Sequence, residues 1–395
     1  MDINAIQTAL VEADIDGWLF YDFHDRDAIA ARVLNMDRNR HSTRRWFYYI
    51  PARGEPRKLV HVIESGQCDH LPGRADTYLS WEQMHDLLRD ILSSAKNIAM
   101  QYSPFNAIPY VSIVDAGTVE LIKSFGVEVV SSADLVGRFE AFLTKTDFQS
   151  HQRAGAFVQE VKNRAFAEIG KKVRDDAYPT EVDIQLFIKD LFRQNKLVWD
   201  GDPIVAVNEH AANPHFEPSK ENCFTMNEGD LVLLDLWARE EAPGSIYYDI
   251  TWMGYIGAEV PDEFETLFQI VRTARDAAVD LVRERFDRGT TVCGWEVDRV
   301  CRKVIADAGY GDYFLHRTGH SIGEKVHGNG ANIDNLETKD ERTIIAGSCF
   351  SIEPGLYLPH KKMGFRSEID VFVTDEGKVE VTGEIQDRII PLLNP

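Results

Sequence analysis

The chain has 395 residues, 44% of them hydrophobic and 27% charged, which is enough for two domains with separate cores. Its formal net charge of -21 would repel phosphate backbones and anionic lipids, so we expect neither nucleic acid nor a membrane surface as a partner. No apolar run approaches the ~20 residues of a spanning helix, and the first 17 residues lack the pattern of a signal peptide, which predicts a cytoplasmic protein.

The first part of the chain alternates short apolar runs with helix-like stretches. This alternation is typical of an α/β domain, which we place at residues 1–145. The predicted strands are 17–23, 45–50, 58–63, 97–100 and 127–130, and the predicted helices are 81–92 and 111–125.

The pattern changes near residue 148. A long helix is predicted there, with one apolar face formed by Phe157, Val158, Val161, Ala165 and Ile169. A second helix follows Thr180, which has the character of an N-cap. Further helices are predicted at 262–286 and 295–308, and strands at 231–238, 246–256, 348–353 and 366–374. Helices mixed with antiparallel hairpins indicate an α+β domain over residues 146–395.

Two predicted hairpins each carry a pair of carboxylates. The first turns near residue 242, so paired positions sum to about 485, and Asp235 should lie nearly opposite Asp249 on one face. The second turns near residue 361, so paired positions sum to about 722, and Glu353 should lie opposite Glu368.

Opposed like charges within apolar strands are unfavourable, and desolvation adds to the cost. Either one member of each pair is protonated or divalent cations lie between them; alternatively, the four residues are edge residues that face solvent. Four carboxylates and one histidine would suit Mn²⁺, Co²⁺, Fe²⁺ or Zn²⁺. Two ions that share bridging carboxylates match the number of acidic ligands, and such a centre activates water for hydrolysis.

Three histidines occur in the stretch LHRTGHSIGEKVHGNG, namely His316, His320 and His327. The first two have the i, i+4 spacing of a helical zinc motif, but glycines interrupt the stretch and the motif's glutamate is absent. We therefore expect a loop or an irregular strand that aims each imidazole separately.

The motifs HRTGHSIG, SIEPGLYL, FRSEIDVFV and VNEHAANPHFEP, with one aspartate on each strand of the first hairpin, resemble the metal-dependent pita-bread peptidases. This is the methionine aminopeptidase/creatinase-like group, and the resemblance is strongest to its Xaa-Pro dipeptidases (prolidases) and Xaa-Pro aminopeptidases. It spans most of the chain. It implies a C-terminal pita-bread catalytic domain, a smaller creatinase-like α/β N-terminal domain that helps to wall the active site, a homodimer, and a proline-containing di- or oligopeptide as substrate.

The resemblance also implies a ligand set for two divalent ions, with Mn²⁺ as the first choice and Co²⁺, Zn²⁺ or Fe²⁺ as alternatives. Asp235 would bind one ion, and Asp249 and Glu368 would bridge both. His320 and Glu353 would complete the second ion's shell.

Other positions match non-ligand residues of that group. Glu353 would also manage the proton of the attacking water, and His215, His316 and His327 would bind substrate and stabilise the oxyanion. Arg366 would support the site beside the bridging glutamate.

The chain departs from the group's pattern at two places. Trp237 replaces a small residue two positions after the first aspartate, so its indole could narrow the substrate pocket or pack behind the sheet. After His327 the chain continues Gly328-Asn329-Gly330 instead of an acidic residue and a proline. Because glycine permits unusual backbone angles, we expect this loop to sit differently.

The N-terminal stretch RNRHSTRR carries four arginines before a predicted strand, at positions 38, 40, 44 and 45. A dipeptidase must recognise a free carboxylate, so Arg44 or Arg45 could contact the substrate, although a basic loop that solvates the surface explains the stretch equally well. The favoured function is an Xaa-Pro dipeptidase. Its alternatives are an Xaa-Pro aminopeptidase acting on longer peptides, a metal-free amidinohydrolase of the creatinase type, and a non-catalytic binding protein of the same fold.

Overall fold

A computed structural model describes residues 1–37 and 41–394, and the chain divides into two compact units, Met1–Glu140 and Ala141–Pro395. Arg38 and Arg40 lie outside the described residues. Throughout the described ranges, every helix is either too short or too polar to cross a membrane.

The N-terminal unit is built around a six-stranded mixed sheet whose strand order is β4-β3-β2-β1-β5-β6. Its elements in chain order are α1 (Ile3–Glu12), β1 (Gly17–Asp22), α2 (Ala28–Val33), β2 (Trp46–Pro51), β3 (Arg57–His61), β4 (Arg74–Tyr78), α3 (Trp81–Ile91), β5 (Asn97–Met100), α4 (Ala116–Lys123), β6 (Glu128–Ser131) and α5 (Ala133–Phe139).

The α/β prediction for this unit is confirmed, but the helix predicted at 111–125 is shorter than expected. It begins only after Asp115, whose carboxylate accepts the backbone N–H of Thr118 and caps the helix. Before it, Pro109 starts a single 3-10 turn that ends at Val111. The helix therefore covers only Ala116–Lys123 of the predicted range.

The C-terminal unit alternates long helices with antiparallel strands. Its elements in chain order are α6 (Lys145–Arg174), α7 (Glu181–Gln194), β7 (Leu197–Val198), β8 (Ile204–Val207), β9 (Leu231–Glu240), β10 (Tyr248–Tyr255), α8 (Asp262–Asp287), α9 (Gly294–Asp307), β11 (Cys349–Ile352), β12 (Gly355–Leu358), β13 (Met363–Arg366), β14 (Ile369–Val373), β15 (Val379–Thr382) and β16 (Ile390–Pro391).

Two helix pairs cover the strands of this unit. The apolar faces of α6 and α7 pack on β8, β9 and β10, and four of the five residues predicted for the buried face of α6 are buried, while Phe157 is partly buried. Thr180 caps α7 as predicted, because its hydroxyl accepts the N–H of Asp183. Helices α8 and α9 cover β11, β14 and β15 from a second core. The strands that carry the carboxylates are therefore covered by helices on their opposite face.

The register of the first hairpin differs slightly from the prediction. Asp235 pairs with Thr251, and Asp249 pairs with Trp237, so paired positions sum to 486. The two aspartates are diagonal neighbours on one face and do not stand directly opposite each other. The ladder between β9 and β10 ends at Ala238 and Tyr248, and the last two residues of β9 pair with β7 instead.

The register of the second hairpin differs by one from the predicted sum of about 722 and equals the sum of Glu353 and Glu368. Cys349 pairs with Phe372 and Gly355 pairs with Arg366, so both ladders sum to 721. Glu353 and Glu368 lie in the short interruption between the ladders. The backbone N–H of Glu368 donates instead to the Thr251 carbonyl at 3.1 Å, which joins this hairpin to β10.

The histidine stretch is an irregular strand, as predicted. Single bridges pair Gly319 with Ile333 and Ser321 with Phe350 on β11. A side chain at position 319 would collide with the Ser351 carbonyl, because a Cβ there would lie 1.9 Å from its oxygen. Glycine at 319 therefore lets the chain approach β11 closely enough to bring His320 to the hairpin carboxylates.

Candidate metal centre

Asp249 is a buried carboxylate of the site. It is 4% exposed, and its Oδ1 has no hydrogen-bond partner among the described residues. Its backbone N–H donates to Asp370 Oδ2 at 2.8 Å, and this hydrogen bond fixes the main chain of Asp249. A buried carboxylate oxygen without a partner is unfavourable unless a proton or a cation meets it.

Thr251 and Arg366 connect the two hairpins. The Thr251 hydroxyl donates to Glu368 Oε2 at 2.7 Å and accepts from Arg366 Nε at 2.9 Å. Arg366 also forms an ion pair with Asp235. One guanidinium therefore neutralises part of the negative charge and fixes the spacing of the two hairpins.

His320 offers a free nitrogen to the carboxylates. Its Nδ1 lies 3.2 Å from the Ser321 carbonyl, which can only accept, so Nδ1 carries the proton and Nε2 keeps its lone pair. Nε2 lies 3.6 Å from Asp249 Oδ2 and 3.5 Å from Glu353 Oε1. An imidazole whose other nitrogen donates to a carbonyl is the usual arrangement of a metal-binding histidine.

Asp249, His320 and Glu368 converge so that one ligand atom from each lies within 4.8 Å of the other two. Glu353 contacts this group at His320. Asp235 pairs with Arg366, which donates a hydrogen bond to the Thr251 hydroxyl and so connects Asp235 to Glu368. The unpartnered Oδ1 of Asp249 and the free Nε2 of His320 both fit a divalent cation. The structure thus brings the five predicted ligands into one region, and their individual assignments to two ions stay a prediction.

The electrostatics of the metal-free site agree with this fit. Burial raises the pKa of Asp249 and of Glu368 well above the ordinary values. Repulsion by Asp235 adds to the effect at Asp249, and repulsion by Asp249 adds to it at Glu368. Burial also raises the pKa of Glu353, to about 7, although the charge of Arg366 opposes it. Burial lowers the pKa of His320 well below its usual range, so the imidazole is neutral. Neutral histidine is the form that binds a cation, and a bound cation would favour ionised carboxylates by lowering their pKa values.

Both nitrogens of His316 are occupied by protein groups. Its Nδ1 lies 2.7 Å from the Arg317 carbonyl and its Nε2 lies 2.7 Å from the Tyr357 hydroxyl, which in turn accepts from Arg366 Nη1 at 3.1 Å. Burial lowers the pKa of His316 to about 3, so the ring is neutral and Nε2 accepts the Tyr357 proton. In this arrangement His316 supports Tyr357 and Arg366, and it has no N–H left to offer an oxyanion.

His215 and His327 stand at the exposed side of the site. The His327 ring contacts the His320 ring edge to face, with centroids 4.4 Å apart, and His215 acts electrostatically on both His327 and Asp235. Each could reach a substrate, and their roles stay predictions.

The expectation of unusual backbone angles after His327 is wrong. Neither Gly328 nor Gly330 has a positive φ. Instead both glycines pack against Ser321. The Gly328 N–H donates to the Ser321 carbonyl at 2.7 Å, and the Gly330 N–H donates to the Ser321 hydroxyl at 3.1 Å. A Cβ at either glycine would lie within 3 Å of Ser321 Oγ. Close packing, and not a left-handed turn, explains these glycines, and it holds His327 beside His320.

Trp237 faces the site and does not simply pack behind the sheet. It pairs with Asp249 across the hairpin, and its indole N–H donates to the Asp200 carbonyl at 2.6 Å. Arg44 and Arg45 belong to the N-terminal unit, where they line a cavity of about 710 Å³ together with Tyr21, Tyr78 and Trp81. Neither arginine forms an ion pair with a carboxylate of the described chain.

Three contributing residues were not predicted: Thr251, Tyr357 and Asp370. Thr251 and Asp370 each lie two positions after a predicted ligand, and the period of two along a strand places them on the ligand's face. That spacing could have identified them. Tyr357 gives no such signal, because its hydroxyl reaches Arg366 and His316 only through the folding of β12 onto β13.

Comparison with known proteins agrees with this geometry. The model of metallopeptidase family M24 matches residues 149–375. The chain is 31% identical over 227 residues to an Xaa-Pro dipeptidase of Lactobacillus delbrueckii subsp. lactis, which covers 58% of this chain and 56% of that protein. It is 27% identical over 325 residues to an Xaa-Pro dipeptidase of Lactobacillus helveticus, with 81% and 80% covered.

Two solved structures share the whole fold. Dipeptidase PepE from Mycobacterium ulcerans superposes with a TM-score of 0.70 at 24% identity, covering 99% of this chain and 96% of that chain. A dipeptidase from Pyrococcus horikoshii OT3 superposes with a TM-score of 0.64 at 25% identity, covering 99% of both chains. Because the family model also matches more than half of the sequence, this chain belongs to metallopeptidase family M24, whose members use divalent metal ions.

Proposed function

We propose that this protein is an Xaa-Pro dipeptidase that holds two divalent ions, with Mn²⁺ as the first candidate. The observation that carries the proposal is the convergence of Asp249, His320 and Glu368 within 4.8 Å around an unpartnered carboxylate oxygen. The two Lactobacillus enzymes named above support the substrate class. Bound divalent cations would polarise the scissile carbonyl and lower the pKa of water.

The side chains have separate tasks in this proposal. Glu353 takes a proton from the attacking water and passes it to the leaving proline nitrogen. His215 and His327 place N–H groups at the open side of the site, where they can stabilise the oxyanion. His316 and Tyr357 hold Arg366, which keeps Asp235 and the Thr251–Glu368 pair in position.

Recognition of the substrate carboxylate is the part that separates a dipeptidase from an aminopeptidase. We propose that Arg44 or Arg45 of an N-terminal unit supplies this contact, because neither is neutralised by an ion pair within the described residues and both line a cavity. We further propose that the protein is cytoplasmic and that it forms a homodimer. Sedimentation of the purified protein would test the dimer.

The decisive experiment measures turnover of Ala-Pro, Leu-Pro and Ala-Pro-Ala by the purified protein with Mn²⁺, Co²⁺ or Zn²⁺ added, alongside metal content by mass spectrometry. We expect rapid cleavage of the dipeptides and two ions per chain. Preferred cleavage of Ala-Pro-Ala would identify an Xaa-Pro aminopeptidase. A chain that retains no metal and cleaves none of the peptides would be a binding protein, and Asp249→Asn provides the inactive control.

The arginine proposal has its own test. Arg44→Ala and Arg45→Ala should raise the KM for Ala-Pro, with a smaller effect on Ala-Pro-Ala, because only the dipeptide places its carboxylate at that point. Arg74→Ala, an arginine elsewhere in the N-terminal unit that pairs with Asp76, is the matched control. Undiminished dipeptide turnover in both variants would reject the contact.

A further inference from the structure

The loop that carries His215 is closed at its base by one buried carboxylate. This loop, residues 208–224 (the His215 loop), follows β8 and leads back toward β9. Glu181, the first residue of α7, accepts the N–H of Val207 at 2.7 Å and the N–H of Phe224 at 2.8 Å. Its own N–H donates to the Phe224 carbonyl at 3.1 Å. Because the Glu181 carboxylate is fully buried, both ends of the loop are anchored away from water.

A second contact anchors the middle of the loop to the same carboxylate. His210 Nδ1 lies 2.8 Å from Glu181 Oε2, and the carboxylate accepts, so Nδ1 carries the proton. The ring lies between Phe216 and Phe224, with centroids 3.9 Å and 3.8 Å away and interplanar angles of 21° and 2°. Phe216 is the neighbour of His215, so the stack fixes the backbone that presents the exposed imidazole.

The loop also contacts the strands that bear the carboxylates. The Pro214 carbonyl accepts from Arg366 Nη1 at 3.4 Å. The Ala211 carbonyl approaches Gly364 of β13 so closely that a Cβ there would lie 1.9 Å from it. The loop is therefore anchored at its base, in its middle and at its contact with β13, which restricts the position of His215.

We propose that Glu181 and His210 are positioning residues for His215. They touch neither the ligands nor the substrate, and they act by restricting the His215 loop so that the imidazole meets the substrate in one orientation. The inference rests on the proposed function, in which His215 contacts the substrate. A small displacement of a substrate-positioning group can cost a large part of the rate, which is why this anchoring matters for catalysis.

The test compares three substitutions of His210. His210→Ala removes the hydrogen bond and the stack, His210→Asn keeps an N–H donor, and His210→Phe keeps the stack. We expect kcat/KM for Ala-Pro to fall roughly ten- to a hundredfold in His210→Ala and less in the other two, with metal content unchanged. Amide hydrogen exchange in 208–224 should accelerate in the same order. His85→Ala is the matched control, because His85 also contacts two aromatic rings, Trp81 and Phe125, but lies in the N-terminal unit.

A double variant separates positioning from general damage. If His210 acts through His215, His210→Ala should add little to the loss already caused by His215→Ala. An undiminished kcat/KM with unchanged exchange, or an equal further loss in the double variant, would overturn the inference. If the wild type cleaves no Xaa-Pro substrate, the proposed function fails instead, and the exchange data still decide whether His210 orders the loop. Should His210→Ala not fold, His210→Asn and His210→Phe carry the comparison.

Discussion

The backbone N–H of Asp249 donates a hydrogen bond to Asp370 Oδ2, so one buried aspartate fixes the main chain of another. Asp370→Ala would leave this N–H unpaired and let the metal-facing carboxylate shift. We expect affinity for Mn²⁺ to fall by roughly ten- to a hundredfold, as for other residues that orient ligands. Titration calorimetry of the metal-free protein measures it.

A buried aspartate in the N-terminal unit supplies the control. Asp27 accepts the N–H of Ala30, so Asp27→Ala should lower stability and leave Mn²⁺ affinity as it is. Equal affinities in Asp370→Ala and the wild type would show that Asp370 does not orient Asp249.

Tyr357→Phe removes one hydroxyl that serves two buried partners, His316 Nε2 and Arg366 Nη1. His316 Nε2 then has no partner and Arg366 Nη1 keeps only its 3.4 Å bond to the Pro214 carbonyl, which should cost about 1–3 kcal/mol of unfolding free energy. It should also lower kcat, because Arg366 then holds Asp235 less firmly. Urea denaturation and steady-state kinetics measure the two effects. Tyr48→Phe, which removes a hydroxyl bound to the Pro72 carbonyl, should affect stability alone. A Tyr357→Phe enzyme with wild-type kcat would contradict the proposed support of Arg366.

The raised pKa of Glu353 predicts a pH dependence of the metal-free protein. Glutamate in the unfolded chain ionises near 4.5, whereas burial raises the pKa of Glu353 to about 7 in the folded chain. The folded state therefore binds more protons between these values, and stability falls as the pH rises through that window.

Glu353→Gln lacks this group. We expect the unfolding free energy of the wild type, relative to Glu353→Gln, to decline from about pH 4.5 to about pH 7 and then level off. Urea denaturation with a chelator present measures the difference, and added Mn²⁺ should restore the wild type at pH 8. A difference that does not vary with pH would mean that Glu353 ionises normally.

Trp237 should limit the size of the residue before proline. It pairs with Asp249, so the Cβ atoms of the two residues lie about 5 Å apart, and the hydrogen bond to the Asp200 carbonyl fixes the indole. Trp237→Ala should raise kcat/KM for Phe-Pro relative to Ala-Pro by roughly tenfold. Trp199→Ala, which removes an indole that contacts the Phe192 ring at a centroid distance of 5.4 Å, is the control. The same substrate ratio in both variants would place Trp237 outside the specificity pocket.

Local pattern was sufficient to locate most of this site. Paired positions of the first hairpin sum to an even number, which places Asp235 and Asp249 on one face, and the symmetry of the second hairpin places Glu353 beside Glu368. The caps and apolar stripe of α6 and α7 likewise follow from residues close together in the chain. These features depend on backbone geometry over a few residues, so spacing alone predicts them.

Contacts between distant segments settle the rest. The diagonal offset of the two aspartates, the use of both His316 nitrogens, and the packing of Gly328 and Gly330 on Ser321 have no local signature. Each depends on side chains that are brought together only when the two hairpins and the loops around them pack. Spacing in the chain therefore specifies which residues share a face, while the directions of buried hydrogen bonds depend on partners that only the packed structure supplies.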